Sequence, residues 1–241
     1  MKKLLCVLCP LLCVILLTAC SGEDAQGTWA PVEDYQFSWE DVLTTETDPQ
    51  PFDTSILNDH EHDYNFKGWL DKTTALCTRS NAGSFSCYEM VAVTLDGQVT
   101  VLEADVHPHT MISAQNGLVA FGSYYETILD DVITFARWNG DETLTILYEF
   151  RDGISFHTTH FFSPDGTKAV IGWTPEVPST QWQVRIVDLK TGDYQDLIPP
   201  GLESEAPLLL LVRWQDDSTL FVSATDMFPD GYCAAWEYTL P

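Results

Sequence analysis

Six histidines and seven cysteines are the residues of this chain best suited to metal or redox chemistry. The histidines come in three pairs: His60 with His62, His107 with His109, and His157 with His160. A fourth position in the same series carries Glu203 and Glu205 instead. Imidazoles converging with carboxylates form the ligand set of zinc or manganese sites. A His-x-His pair on a strand places both rings on one face. Histidines on independent surface loops would not converge, and the pairs drift by a residue or two in phase. Cys77 and Cys87 flank Asn81-Ala82-Gly83, a three-residue hairpin loop with glycine at its left-handed position. Counting outward from that loop pairs Cys77 with Cys87, within cross-strand disulfide range; two buried thiols are the alternative. Cys233 has no partner in this scheme and is expected in the core. Other catalytic signatures are missing from the sequence: no GxSxG elbow, no HExxH, no P-loop and no EF-hand loop. Asp130-Asp131 and Asp216-Asp217 read as turn or solvated residues.

The elements that must position these groups are short strands. Apolar or alternating runs recur at Met90 to Leu95, Gln98 to Leu102, Leu118 to Gly122, Val132 to Trp138, Thr143 to Tyr148, Lys168 to Trp173 and Gln183 to Leu189. Turn pairs separate them: Asp96-Gly97, Asn139-Gly140, Asp165-Gly166 and Thr191-Gly192-Asp193. Nothing keeps a helical period over eleven or more residues. Leu208 to Val212 is uninterrupted apolar sequence, suited to a strand covered on both faces; a short buried helix is its alternative. The expected fold is all-β.

Phe161-Phe162-Ser163-Pro164-Asp165-Gly166-Thr167-Lys168 and the later Val187-Asp188-Leu189-Lys190-Thr191-Gly192 form the clearest unit. This unit resembles one blade of the TolB-type, WD-like β-propellers, with their FSPDG and VDLxTG turns. Fainter copies sit at the same phase: Trp69 to Thr73, Ser113 to Gly117, and Trp214 to Ser218. Their spacing, about 44 to 51 residues, is that of a four-stranded blade. The expectation is a small propeller of about four antiparallel blades, with units near 63–103, 107–149, 157–199 and 207–241 inside a domain spanning 51–241. The last unit lacks a fourth strand. Tyr35 to Trp39 could complete it from the other end of the chain, unless Ser38 caps a short helix through Leu43 or the array stays open. The resemblance implies that the histidine pairs lie on crossover loops around a channel mouth.

The N-terminus is expected to be a leader. Lys2 and Lys3 precede an apolar run from Leu4 to Leu17, which as helix spans only about 21 Å. That falls short of the roughly 30 Å of a hydrocarbon core, so residues 1–19 are expected to be a cleaved signal peptide. Leu17-Thr18-Ala19-Cys20 resembles the lipobox of bacterial lipoproteins, which implies diacylglycerol on Cys20. Two or more acyl chains give stable anchoring. Cys6, Cys9 and Cys13 leave with the leader. Residues 20–50, rich in acid, Thr and Pro, are expected to be a tether.

Charge narrows the partners. Asp and Glu number 36 against 11 basic residues, two of them in the leader, for a formal charge of −25. No basic patch is available to neutralise phosphate, which argues against nucleic acid. The sequence therefore points to a membrane-tethered, extracytoplasmic lipoprotein that binds protein or glycan on the cell surface without catalysis and without a cofactor. Two alternatives stand: a metal-dependent propeller enzyme of the polysaccharide-lyase kind using the histidines, and an accessory or sensor lipoprotein that needs a partner protein.

Overall fold

The computed structural model describes residues 27–38, 51–57, 59–83, 88–106, 112–123, 132–155, 161–175, 181–202, 209–226 and 232–241. Among these residues there are sixteen strands, one 3-10 turn (Thr54–Leu57) and no α-helix. The strands fall into four consecutive antiparallel groups. Blade one holds β2 (His62–Trp69), β3 (Thr74–Asn81), β4 (Tyr88–Thr94) and β5 (Val99–Val106). Blade two holds β6 (Ser113–Gln115), β7 (Leu118–Ser123), β8 (Val132–Trp138) and β9 (Leu144–Phe150). Blade three holds β10 (Ile154–Ser155), β11 (Lys168–Thr174), β12 (Gln183–Asp188) and β13 (Tyr194–Leu197). Blade four holds β14 (Leu209–Trp214), β15 (Thr219–Thr225), β16 (Cys233–Thr239) and, from the far end of the chain, β1 (Thr28–Pro31).

Turn chemistry makes these hairpins locally. Between the first two strands of blades one, three and four, an aspartate accepts the backbone N–H two residues on: Asp71 from Thr73 at 2.7 Å, Asp165 from Thr167 at 3.0 Å, and Asp216 from Ser218 at 2.8 Å. Blade two uses a two-residue turn, Asn116 (φ 50°) and Gly117 (φ 78°), the left-handed pair that matches strand twist. The turn repeat legible in the sequence is therefore also the repeat of the fold.

Blades stack through their faces. Leu76, Met90 and Ala92 of blade one meet Ala114 and Val119 of blade two. Ala120, Ile133 and Phe135 of blade two meet Ala169, Ile171 and Trp173 of blade three. Val170, Val184 and Ile186 of blade three meet Leu210, Val212 and Val222 of blade four. The run after Leu208 is thus a strand covered on both faces, with Leu209 and Leu211 on the opposite side. First strands approach closely where blades one and two join. Gly68, at a bulge with φ 144°, runs parallel to Ala114, and a Cβ there would lie 2.2 Å from the Ala114 carbonyl oxygen.

The strand that completes blade four is Thr28–Pro31, not Tyr35 to Trp39. Trp29 lies opposite Tyr238 with ring centroids 4.8 Å apart, and Pro31 ends the strand, where a missing N–H costs little. Tyr35 and Phe37 instead cover the end face of the blade, Tyr35 against Phe221 and Phe37 against Leu209 and Leu211. Trp39 lies outside the described residues. At the other end of the stack, Phe52 and Leu57 pack on Ala75, Cys77, Val91 and Val93 of blade one. No core cluster among the described residues joins blade four to blade one. The segment before β2 contributes apolar side chains to both end faces.

Candidate functional site

A cleft opens on the end face of blade one. Tyr64, Arg79 and Glu89 are successive cross-strand partners on β2, β3 and β4, so their side chains form a row on one face. The 3-10 turn and residues 59–61 run beside that row. Between them lies a cavity of about 580 Å³ lined by Leu57, Asp59, His60, Glu61, Tyr64, Arg79, Gly97 and Val99. Leu57 and Val99 give it apolar surface, and the remaining side chains give it donors and acceptors.

Asp59 organises the rim. Its Oδ1 accepts the Glu61 backbone N–H at 2.9 Å, and its Oδ2 accepts the Tyr64 hydroxyl at 2.9 Å and lies 2.8 Å from His62 Nδ1. The Glu61 amide, helped by His62 and Tyr64, outweighs desolvation and holds the Asp59 carboxyl at about 2, below its usual 3.8. Arg79 binds Glu89 Oε2 through Nε at 2.7 Å and through Nη2. Burial works against its charge, but hydrogen bonds to Glu89 and Tyr64 outweigh burial and raise its pKa. Burial raises the Tyr64 phenol as well. The result is a fixed cation, a phenol and a carboxylate on one wall of an open cavity.

Below the row, the face turns apolar. Cys77 is fully buried, and desolvation pushes its thiol up to about 12. It is a free thiol, and its β4 partner is Val91. The disulfide expected from a symmetric loop is therefore not the pairing seen. The register instead sets Ala75 and Cys77 against Val93 and Val91, which keeps all four apolar residues on the buried face. Cys87 lies outside the described residues. Cys233 is half-buried, also a free thiol, and its pKa too is raised by burial.

Of the histidine series, His60 lines the cleft, and His62 opens β2 with its ring against Asp59. His107, His109, His157, His160, Glu203 and Glu205 lie outside the described residues, as does Cys20. Among the described residues no three His, Cys, Asp or Glu side chains gather as a metal would require. Sequence spacing did not single out Tyr64, Arg79 or Asp59. The available signal was a charged residue inside a strand run, Thr78-Arg79-Ser80, whose side chain must find a partner across the sheet.

A second polar cluster shows the same signal. Arg185, within the apolar run of β12, is 2% exposed. Its guanidinium meets Asp196 twice at 2.7 Å, the Tyr148 hydroxyl at 2.9 Å, and Asp152. Its Cζ lies 3.9 Å from the Tyr194 ring centroid, 5.0 Å from Trp173 and 5.2 Å from Phe150. Tyr148, Phe150 and Asp152 come from the end of blade two and the residues just after it, so the cluster ties blade two to blade three.

No family model matches the sequence, and no curated protein matches it. Solved structures do. One of two prolyl endopeptidases analysed for inter-domain dynamics in catalysis and specificity aligns with a TM-score of 0.52 at 12% identity, over 75% of this chain and 28% of that one. An oligogalacturonate lyase in complex with manganese aligns at 0.44 and 15% identity, over 71% of this chain and 46% of that one. A calcium-binding protein, regucalcin from Agrobacterium tumefaciens, aligns at 0.38 and 14% identity, over 75% and 62%. The chain thus spans less than half the length of the first two. At such identities the likeness is one of architecture: the chain is an all-β, propeller-like domain.

Proposed function

We propose that this protein is a lipoprotein anchored through Cys20, facing outside the cytoplasm, and that its domain binds a hydroxyl-rich ligand, a glycan of the cell surface, in the blade-one cleft without transforming it. The observation that supports this is the wall of the cleft. Arg79 offers donors, Asp59 and Glu61 offer acceptors, and Leu57 and Val99 give an apolar surface for the faces of a sugar ring. Small-molecule sites combine apolar lining with a few fixed polar groups in this way. Arg79 is held by Glu89 and Tyr64 before any ligand arrives, which limits the ordering cost of binding. The acidic surface, formal charge −25, favours neutral or cationic glycans over polyanionic ones.

The test is titration of the detergent-solubilised full-length protein with a panel of neutral, amino-substituted and acidic oligosaccharides. Arg79→Ala should weaken the best ligand by between about 10- and 100-fold, the range for loss of a charged hydrogen bond. Binding unchanged by Arg79→Ala and by Asp59→Asn would remove the cleft as the ligand site. Incorporation of labelled palmitate by the wild type but not by Cys20→Ala tests the anchor separately.

A further inference from the structure

The membrane anchor and the closing strand sit close together in the chain, and their separation restricts how the domain can stand on a bilayer. Strand β1 is fixed to blade four along its whole length, paired from Thr28 with Thr239 to Pro31 with Trp236. The Val32 N–H continues the contact to the Ala235 carbonyl at 2.9 Å. The chain is already seated at Gly27. A Cβ there would fall 2.3 Å from the Tyr238 hydroxyl oxygen and 2.5 Å from the Thr239 carbonyl oxygen, so only glycine lets the backbone lie this flat against the blade. Gly27 is thus a fixed point on the side of the domain from which the chain runs back to Cys20.

Seven residue steps separate Cys20 from Gly27. At no more than about 3.6 Å per residue they reach about 25 Å. A compact domain of this size has a radius of gyration of about 17 Å and so a diameter of roughly 44 Å. The tether covers little more than half of that. It can hold the β1 edge near the bilayer, but it cannot pass around the domain to bring the opposite side down.

We propose that the β1 edge of blade four is the bilayer-facing side of the domain, nearer the bilayer than the outer strand of blade two, β9. This rests on the Cys20 anchoring proposed above. Charge sets the stand-off. With 36 acidic residues in the chain against nine basic ones beyond the leader, the domain is repelled by anionic headgroups, and that repulsion decays over about 8–10 Å at ordinary ionic strength. The decay length is shorter than the reach of the tether. The domain therefore stands off the surface instead of lying flat on it, and the blade-four edge remains the nearest part.

The experiment uses the full-length lipidated protein in phosphatidylcholine vesicles containing phosphatidylglycerol and an acceptor-labelled headgroup lipid. Donor dyes are placed on Ala30→Cys, exposed on β1, or on Ile146→Cys, exposed on β9, in a Cys87→Ser/Cys233→Ser background. Cys77 is buried and stays silent. Energy transfer from Ala30→Cys should exceed that from Ile146→Cys by several-fold. A Gly-Ser extension placed between Gln26 and Gly27 should lower the Ala30→Cys signal and shrink the contrast. Equal transfer from the two positions, or more from Ile146→Cys, in protein that floats with the vesicles would overturn the orientation. Flotation of Cys20→Ala as efficient as that of wild type would instead overturn the anchoring, so the two failures are distinguishable.

Discussion

Two arginines on central strands of their blades meet opposite fates. Arg185 of blade three is 3% exposed in its side chain and satisfied on every side: Asp196 in a two-point grip, Asp152, Tyr148, and three aromatic rings. Arg79 of blade one is 19% exposed, grips a single carboxylate, Glu89, which is itself 37% exposed, and forms part of a cavity wall. Both guanidiniums have raised pKa values, because their hydrogen bonds outweigh desolvation. What differs is what covers them. Blade two lies over Arg185 and supplies partners from Tyr148 to Asp152, whereas among the described residues the face around Arg79 has Leu57, the segment Asp59 to Glu61, and Gly97 and Val99 beside it. The same side chain is a clamp where a blade covers it and, on the function proposed above, a binding group where no blade among the described residues does.

The largest expected effect tests the clamp. Arg185→Leu leaves Asp196 without its cation and removes the tie between blades two and three. Breaking a buried pair from one side costs about 3–5 kcal/mol. Asp196 keeps some solvent access, at 27% side-chain exposure, so about 3 kcal/mol is expected. In a chain of this length that lowers the melting temperature by roughly 10 °C. Arg79→Leu should change stability by no more than about 1 kcal/mol, the range for an exposed pair. Equal losses for the two variants, read from urea midpoints, would abolish the distinction drawn here.

A smaller pair of changes sharpens the same contrast. Tyr148→Phe removes one acceptor from Arg185, and hydrogen bonds to charged groups contribute about 1.5–3 kcal/mol. Tyr64→Phe removes a donor to Asp59 on an open rim, where water can take its place, so the loss should be smaller. Denaturant titration should rank Tyr148→Phe as the more damaging. Glycan titration should reverse the order, since only Tyr64 lines the cleft.

The blades were legible because their turns are local. Asp71 with Thr73, Asp165 with Thr167 and Asp216 with Ser218 close their hairpins from neighbouring residues, so the repeat survives in the sequence. Strand β1 was not legible. Thr28-Trp29-Ala30-Pro31 is short, ends in proline, and becomes a strand only because Tyr238 and its neighbours, at the other end of the chain, receive it. The cysteine pairing failed for a related reason. Symmetry about Asn81-Ala82-Gly83 is a local rule, but the register of β3 and β4 follows the burial of Ala75, Cys77, Val91 and Val93. The cleft was hidden by the same dependence, since Tyr64, Arg79 and Glu89 become neighbours only through that register. His62 was noticed for its spacing from His60, yet its partner is Asp59, three residues earlier.

The smallest effect isolates the rim of the cleft. Asp59 is a quarter exposed, and its carboxyl is held at about 2 against the ordinary 3.8. A depressed carboxylate contributes stability that is fully present above the unfolded-state pKa and is lost as pH falls through the folded one. Asp59 should therefore contribute a constant amount above about pH 5, with the contribution shrinking below pH 4 and gone below about pH 2. Asp59→Asn removes that dependence. The stability difference between wild type and Asp59→Asn should be flat near neutrality and close steadily between pH 4 and pH 2, in urea midpoints taken across that range. Arg185→Leu in the same background should leave this closing curve unchanged in shape, because the clamp lies between blades two and three and shares no hydrogen-bond partner with Asp59. An offset that stays constant down to pH 2 would mean that the Glu61, Tyr64 and His62 contacts do not hold the Asp59 charge. The cleft would then lose the acceptor that fixes its rim, and Arg79 would have to orient a ligand alone.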